Sequence, residues 1–428
     1  MPIWVWRHLP SSPLHQSYSR EHAAPVKLGC PSYLPLVLEA ADPRGLGRSA
    51  PREAEATGTR VANMQGDAAY GPAAHVCHSE GKDPMDQRRD GPRRATVGTC
   101  SMPRPEGATA DELLGRYLEA IDRMAARAGE QGLQLDLAVL PECSFDLVVR
   151  SVEEVAEPLD GRVVTAVARK ARQHHTYATA PVQTRREGRV YNSVVLLDRQ
   201  GEPVGIYDKV FPVMMTDGSL EYGITPGRSF PVFDLDFGRV GMQICWDVAF
   251  DDGWQALADQ GAELVLHCTD PSSLVAMRGR AWRHEYYIVS STMVPPALLV
   301  DPVGRVVGST RESGEVLVLS LDLDFRVLHS NCLWGWPESR RHEYAGRINL
   351  DWDDEAKEYL VTSNDPALPV RRFLKVEGLL TGRQRNARNA QLQDEMRGGP
   401  PDMPAPRASA AAARAPSTLD SSSARSER

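Results

Sequence analysis

The sequence predicts an α/β protein with mixed sheets, and two observations carry that prediction. Between about residues 92 and 383, short apolar runs of strand length alternate with longer stretches whose apolar residues recur at helical spacing. Two pairs of the strand-like runs are also joined by tight turns, as hairpins are. Strands interleaved with helices bury both kinds of apolar face at once, and added hairpins bring antiparallel pairs into the sheets. No internal repeat is visible.

The elements follow in order. Arg94–Ser101 predicts a strand. Thr109, Ala110, Asp111 and Glu112 form a capping-box signature, in which hydroxyl and carboxylate satisfy each other's free amides. Behind it, Leu113, Leu114, Tyr117, Leu118, Ile121, Met124, Ala125 and Ala128 mark one helical face. Asp136–Leu140 predicts a second strand, Gly161–His174 a second helix and Tyr177–Val182 a third strand. Tyr191–Leu197 and Glu202–Tyr207 flank an Arg-Gln-Gly turn, and Pro231–Leu235 and Arg239–Ile244 flank Phe237-Gly238; both pairs predict hairpins. Ala249–Gln260 predicts a helix stopped by Gly261. Glu263–His267 and Tyr287–Met293 predict strands on either side of a helix over Ser273–His284. Ala297–Asp301, Arg305–Gly308 and Glu315–Asp322 finish the sheets.

The flanks differ in kind. Residues 1–91 hold no sustained period of 2 or 3.6, so they are expected to be a disordered or over-long N-terminal extension, with Met64 or Met85 nearer the natural start. Residues 384–428 are biased toward Ala, Arg, Ser and Pro and are expected to form a disordered tail. That leaves a domain over 92–322 and an extension over 323–383, expected to pack on the domain or on a neighbouring subunit.

Composition excludes several classes. The 428 residues carry a formal net charge of -8, which disfavours general binding to nucleic acid or an anionic membrane. No apolar run nears the roughly 18 residues that a spanning helix needs. The N-terminus breaks on Arg7, His8 and Pro10 before a signal-peptide core forms, so a cytoplasmic chain is expected. The seven cysteines are odd in number and scattered, which is not a disulfide framework. His75, Cys77 and His78 cluster in a polar, irregular context and read as incidental, so no metal is expected.

Three polar residues stand where apolar strands end: Glu142, Lys209 and Cys245. Catalytic groups in α/β folds often occupy such ends, where a rigid sheet aims them into a cleft. A thiolate attacks an electrophilic carbon, but a free thiol near pKa ~8.5 is mostly protonated at neutral pH. A carboxylate against it can take the proton and later return it to a departing amine. An ammonium and a backbone N–H beside the nucleophile, here that of Trp246, can hold the negative oxygen of the tetrahedral intermediate. Each residue alone is ordinary. A Cys after a strand is usually a small core hydrophobe, and a Glu after Pro usually a solvated loop residue.

The order of motifs is more specific. Leu140-Pro141-Glu142 comes first. Tyr191-Asn192-Ser193-Val194-Val195, the turn Asp198–Gly201 and Tyr207-Asp208-Lys209-Val210-Phe211 follow. Then comes Gly241-Met242-Gln243-Ile244-Cys245-Trp246-Asp247, with Gly261-Ala262-Glu263-Leu264 behind it. Arg280-Ala281, Glu285, Asp301-Pro302 and Gly304 continue the series. Over about 92–322 the chain resembles the carbon–nitrogen hydrolase (nitrilase) superfamily, and its amidase and carbamoylase branch in particular.

The resemblance implies a four-layer αββα sandwich that forms a homodimer or higher homo-oligomer. It also implies Cys245 as nucleophile, Glu142 as general base and acid, Lys209 as stabiliser of the intermediate and Glu221 as a fourth, charge-positioning residue, with no cofactor. Three pocket candidates depart from or vary the family pattern. Phe145 lies in Cys143-Ser144-Phe145-Asp146, where many members carry Gly-Tyr. Asp247 follows Trp246, a pairing that favours amide or N-carbamoyl substrates, whereas nitrilases more often carry Trp-Glu. Asp270 lies among family pocket positions but equally suits a helix N-cap with Pro271 at the first position. Trp334, Trp336 and Arg340–Tyr344 resemble the family's closing segment. The expected activity is hydrolysis of a linear amide or N-carbamoyl small molecule. A nitrilase, an acyl or amide-group transferase and a catalytically silent binder are the alternatives.

Overall fold

A computed structural model describes residues 93–102, 105, 107–142 and 152–402. The expectations placed on 1–91, on Phe145 and on 403–428 lie outside the described residues.

Two six-stranded sheets form the centre. In the first, β1 (Arg94–Cys100), β2 (Leu137–Ala138) and β3 (Tyr177–Arg186) run parallel. The hairpin strands β4 (Arg189–Leu197) and β5 (Pro203–Asp208) add antiparallel on one side. On the other side of β1 lies β12 (Val316–Asp322), antiparallel over all seven residues. The second sheet repeats the plan. Here β7 (Arg239–Ile244), β8 (Leu264–Pro271) and β9 (Tyr287–Val294) are parallel. They are flanked by β6 (Val232–Asp234) on one side and by β10 (Leu298–Val300) and β11 (Val306–Ser309) on the other.

Strand alternation sets the layers. Val194, Leu196 and Tyr207 of the first sheet meet Val240, Met242, Leu266 and Cys268 of the second in a core shared by both sheets. The alternate residues Ala138, Ala178, Ala180, Val195 and Leu197 face outward onto α1 (Ala110–Glu130) and α3 (Arg162–His174); between these two in sequence lies the single turn α2 (Val152–Val155). On the far side, Val265, Ile288 and Val300 pack under α4 (Asp252–Asp259) and α5 (Leu274–His284). The order helix, sheet, sheet, helix is the four-layer αββα sandwich. Each fully buried Leu, Val or Ile in it contributes about 1.5–3 kcal/mol. Close contact has its own requirement: a Cβ on Gly98 would sit 2.9 Å from Met124 of α1. The Thr109–Glu112 capping box starts α1 as expected, with both reciprocal hydrogen bonds formed.

Four expectations are corrected. The strand expected over Asp136–Leu140 shrinks to two residues, although Asp136 N still donates to Thr96 O and Val139 N to Gly98 O, and side chains serve the amides beyond them. The Asp136 carboxylate accepts from Thr96 N, and Leu140 N donates to Thr179 Oγ1. The helix expected from Ala249 begins at Asp252, because Cys245–Ala249 form a separate 3₁₀ turn and Phe250 is extended. Asp270 is no N-cap: β8 runs on to Pro271, and Ser273 caps α5 by accepting from Ala276 N. The tail expected from 384 is helical at its start, where Gly382–Arg397 form a helix ahead of α-left Gly398. A Thr381–Gln384 capping box and local pairs such as Arg397–Asp394 support that helix. It is polar all round, so no apolar period announces it.

The extension after β12 makes a three-stranded sheet. Phe325–His329 and Ile348–Asp353 each pair antiparallel with Glu358–Ser363. Val370–Glu377 form a helix that packs on it through Phe373 and Leu374. Phe325, Val327 and Leu360 join the core between the large sheets, and the Phe325 ring meets Tyr287 edge-on at 5.1 Å. Arg305 pairs with Asp351 at 2.6 Å across the same junction. No helix among the described residues is long and apolar enough to cross a membrane.

Candidate active site

Glu142 sits just past β2, and the Tyr117 hydroxyl of α1 donates to its main-chain carbonyl at 3.1 Å. Lys209 follows β5, its N–H bonded to Asn192 O at 2.8 Å. Glu221 lies on the following loop in left-handed backbone, as does Tyr222. Cys245 opens the 3₁₀ turn after β7 at a φ of 43°, a conformation rare for a residue with a Cβ.

The structure brings these residues together. Lys209 Nζ donates to Glu142 Oε1 at 3.0 Å and to Glu221 Oε1. Glu221 also accepts from Val213 N at 3.0 Å, which fixes its loop. The Cys245 thiol interacts with Glu142 and with the Thr269 hydroxyl. An ammonium has three donors, and two of Lys209's point at carboxylates.

Burial governs the charge states. Burial and the Glu142 charge push the Cys245 thiol up to about 12, so sulfur holds its proton at neutral pH. Burial disfavours the Lys209 ammonium, but Glu142, Cys245 and Glu221 more than reverse this and hold it above the ordinary lysine range. Burial raises the Glu142 carboxyl, opposed chiefly by Lys209. The arrangement is a protonated thiol, a carboxylate and an ammonium in mutual reach.

Asp247 lies inside the protein, on the nucleophile turn. It is wholly buried, and Tyr207 Oη donates to its Oδ2 at 2.7 Å, Ile244 N to the same oxygen at 2.9 Å and Phe211 N to Oδ1 at 2.9 Å. Tyr207 and Phe211 flank Lys209 in sequence, so this one carboxylate ties the lysine segment to the nucleophile turn. Burial raises it to about 6. The Trp246 side chain is 48% exposed, and its N–H lies in the first turn of the 3₁₀ helix, where amides lack intrahelical acceptors. Asp270 is exposed near the end of β8, directly after Thr269.

Sequence reasoning gave no role to Asn192, met only within the Tyr191–Val195 motif, and took His267 and Thr269 no further than the stretch of family pocket positions that ends at Asp270. All three are buried polar residues on strands. The available signal was a polar residue on an otherwise apolar face: Asn192 shares the inter-sheet face with Val194 and Leu196, and His267 shares the helix-facing side of β8 with Val265. Among the described residues no group of three or more His, Cys, Asp or Glu side chains is placed to hold a metal ion. A concavity of about 350 Å³ lies apart from the site, between α3 and the turn before β5, lined by Val164, Ala168, Arg172 and Pro203.

Residues 96–326, just over half of the chain, match the family described as carbon-nitrogen hydrolase. The chain belongs to that family. As a carbon–nitrogen hydrolase it is an enzyme that hydrolyses carbon–nitrogen bonds. The hydrolase is similar to a protein named nitrilase from Pyrococcus abyssi, with 29% identity over 248 residues covering 53% of this chain and 91% of that one. It is also similar to an (R)-stereoselective amidase from a Pseudomonas species, with 30% identity over 239 residues covering 51% and 82%. The solved structure of a carbon–nitrogen hydrolase from Helicobacter pylori G27 aligns with 54% of this hydrolase and 90% of that chain, at 15% identity and a TM-score of 0.49.

Proposed function

We propose that this hydrolase cleaves a linear amide or N-carbamoyl small molecule through a thioester on Cys245. The observation that carries the proposal is the shared carboxylate. Glu142 accepts from the Lys209 ammonium and interacts with the Cys245 thiol, so acid–base and electrostatic groups converge on one sulfur.

The steps follow from the charge states. Glu142 takes the thiol proton as Cys245 Sγ bonds to the carbonyl carbon. The oxygen that gains the electron pair is held by the remaining Lys209 donor and the Trp246 N–H. The intermediate collapses, the C–N bond breaks, and Glu142 returns the proton to the departing nitrogen. Ammonia or an amine leaves and a thioester remains. Glu142 then deprotonates water, which attacks the thioester. The C–S bond breaks, and the sulfur recovers its proton. Glu221 positions Lys209 by accepting from its ammonium alongside Glu142. None of these steps calls on a cofactor.

The preference for amide or N-carbamoyl over nitrile is supported by the Trp246-Asp247 pair and by similarity to a relative named amidase. Similarity to a relative named nitrilase keeps nitriles in the test. We carry forward a homodimer or higher homo-oligomer, a cytoplasmic location, and no nucleic-acid or membrane partner. Light scattering tests the oligomer.

The deciding experiment measures ammonia release from amides, N-carbamoyl amino acids and nitriles, with Cys245→Ala alongside. Release from amides or carbamoyl compounds that vanishes in the variant is the expected result. Release from nitriles alone overturns the substrate class. Residual turnover in Cys245→Ala overturns the nucleophile. No release with Cys245 readily alkylated points to a transferase, and an unreactive Cys245 to a silent binder.

A further inference from the structure

We infer that Asn192 is a positioning residue whose amide holds Glu142 and Glu221 as two ionised acceptors, keeping Glu142 ready to take the Cys245 proton. The inference rests on the reading above, that Glu142 is the base.

The geometry is one donor group shared by two acids. Asn192 lies on β4, on the face turned to the inter-sheet core, and is 4% exposed. Its Nδ2 donates to Glu142 Oε1 at 2.8 Å and to Glu221 Oε2 at 3.4 Å. An amide nitrogen carries two hydrogens, one for each carboxylate. Its main-chain carbonyl meanwhile accepts from Lys209 N at 2.8 Å. One residue therefore touches both carboxylates and the lysine backbone.

The amide's orientation follows the carboxylates and not its own needs. Turned this way, Asn192 leaves its own Oδ1 buried without a hydrogen-bond partner among the described residues. The reverse orientation would aim a carbonyl oxygen at two carboxylates.

The electrostatics show why such a donor matters. Two buried acids share one ammonium, and like charges that close disfavour joint ionisation. The groups facing Glu142 are Lys209 from the end of β5, Glu221 from the loop beyond it, Cys245 from the 3₁₀ turn and Cys268 from β8. Burial and Glu221 push the Glu142 carboxyl up, while Lys209 and Asn192 pull it down. A carboxylate that protonates near neutral pH cannot accept the thiol proton. An aspartate at this position would be nearly isosteric and would add a third negative charge.

The test follows iodoacetamide alkylation of Cys245 by peptide mapping across pH, and it needs no substrate. In the wild type the rate falls as Glu142 protonates, and Glu142→Gln removes that step. Asn192→Ala is expected to move the midpoint upward by about one pH unit. Asn192→Asp should move it further, and Asn192→Gln, which keeps a donating amide, should bring it back toward wild type. A packing role alone would slow alkylation or lower the melting temperature without moving the midpoint. An unmoved midpoint in Asn192→Ala overturns the inference; if that variant does not fold, the same outcome in Asn192→Asp does so. A step that survives Glu142→Gln overturns instead the assignment of Glu142 as base.

Discussion

His267 Nε2 lies 3.1 Å from the carbonyl oxygen of Cys245, so a buried imidazole holds the main chain of the nucleophile. The carbonyl belongs to the residue bent to a φ of 43°, and the Trp254 ring packs beside the imidazole at 5.7 Å. Burial keeps the ring neutral by lowering it to about 4, so Nε2 carries the single proton and donates.

This contact predicts a rate effect. His267→Ala removes the donor, and a lost hydrogen bond of about 1 kcal/mol corresponds to roughly a fivefold to tenfold loss in kcat or in Cys245 alkylation. His267→Gln offers an amide donor and should recover part of the loss. Single-turnover kinetics on a substrate identified by ammonia release checks both, and a wild-type rate in His267→Ala would remove His267 from the site.

The same imidazole predicts a pH dependence of stability. Its folded pKa lies near 4, below the 6.5 of a free histidine. Between those values the unfolded chain binds the extra proton, so stability is present above pH 6.5 and is lost as pH falls toward 4. The gap corresponds to about 3 kcal/mol. Melting curves of wild type and His267→Gln over that window should converge as pH falls. Parallel curves would contradict the shift.

Gly227 predicts an indirect effect on Lys209. Its N–H donates to Lys209 O at 2.8 Å, and a Cβ there would run into the main-chain oxygen of Asp208. Gly227→Ala must push the Asp208–Lys209 segment aside. A displacement near 1 Å costs about a hundredfold in rate. We expect kcat to fall by that order while the folded state survives, read by activity and circular dichroism together.

Lys209→Ala removes the ammonium from between two buried acids. Its kcat should drop by about 10²–10³, the range for a lost oxyanion donor. A change confined to KM would contradict the assigned role.

The sequence and the structure diverge for physical reasons. The α/β class was legible because strand-length apolar runs alternate with stretches of helical spacing and because the Thr109 capping box is local, whereas the four-layer sandwich was implied only by the resemblance. Glu142, Lys209 and Cys245 stand at strand ends, but the ordered motifs of the resemblance were what singled them out. Asn192 and His267 were given no role of their own, because the groups they contact are distant in sequence. Asp247 shows the limit of neighbourhood reasoning. Two residues after Cys245, its carboxylate is spent on Tyr207, Ile244 and Phe211. The helix at Gly382–Arg397 was hidden because its stability comes from caps and side-chain pairs, not from an apolar face.

The pairing of β1 with β12 has a consequence for synthesis. These neighbours come from opposite ends of the domain, and every residue of β1 is matched to one of β12. On a translating ribosome β1 therefore emerges long before its antiparallel partner. At about 5–20 residues per second the wait is on the order of tens of seconds. Throughout it, one edge of a strand with six buried residues stands open to other chains. Nascent copies are thus most prone to aggregate before residue 322 has left the exit tunnel, and that interval is when a holding chaperone does the most for yield.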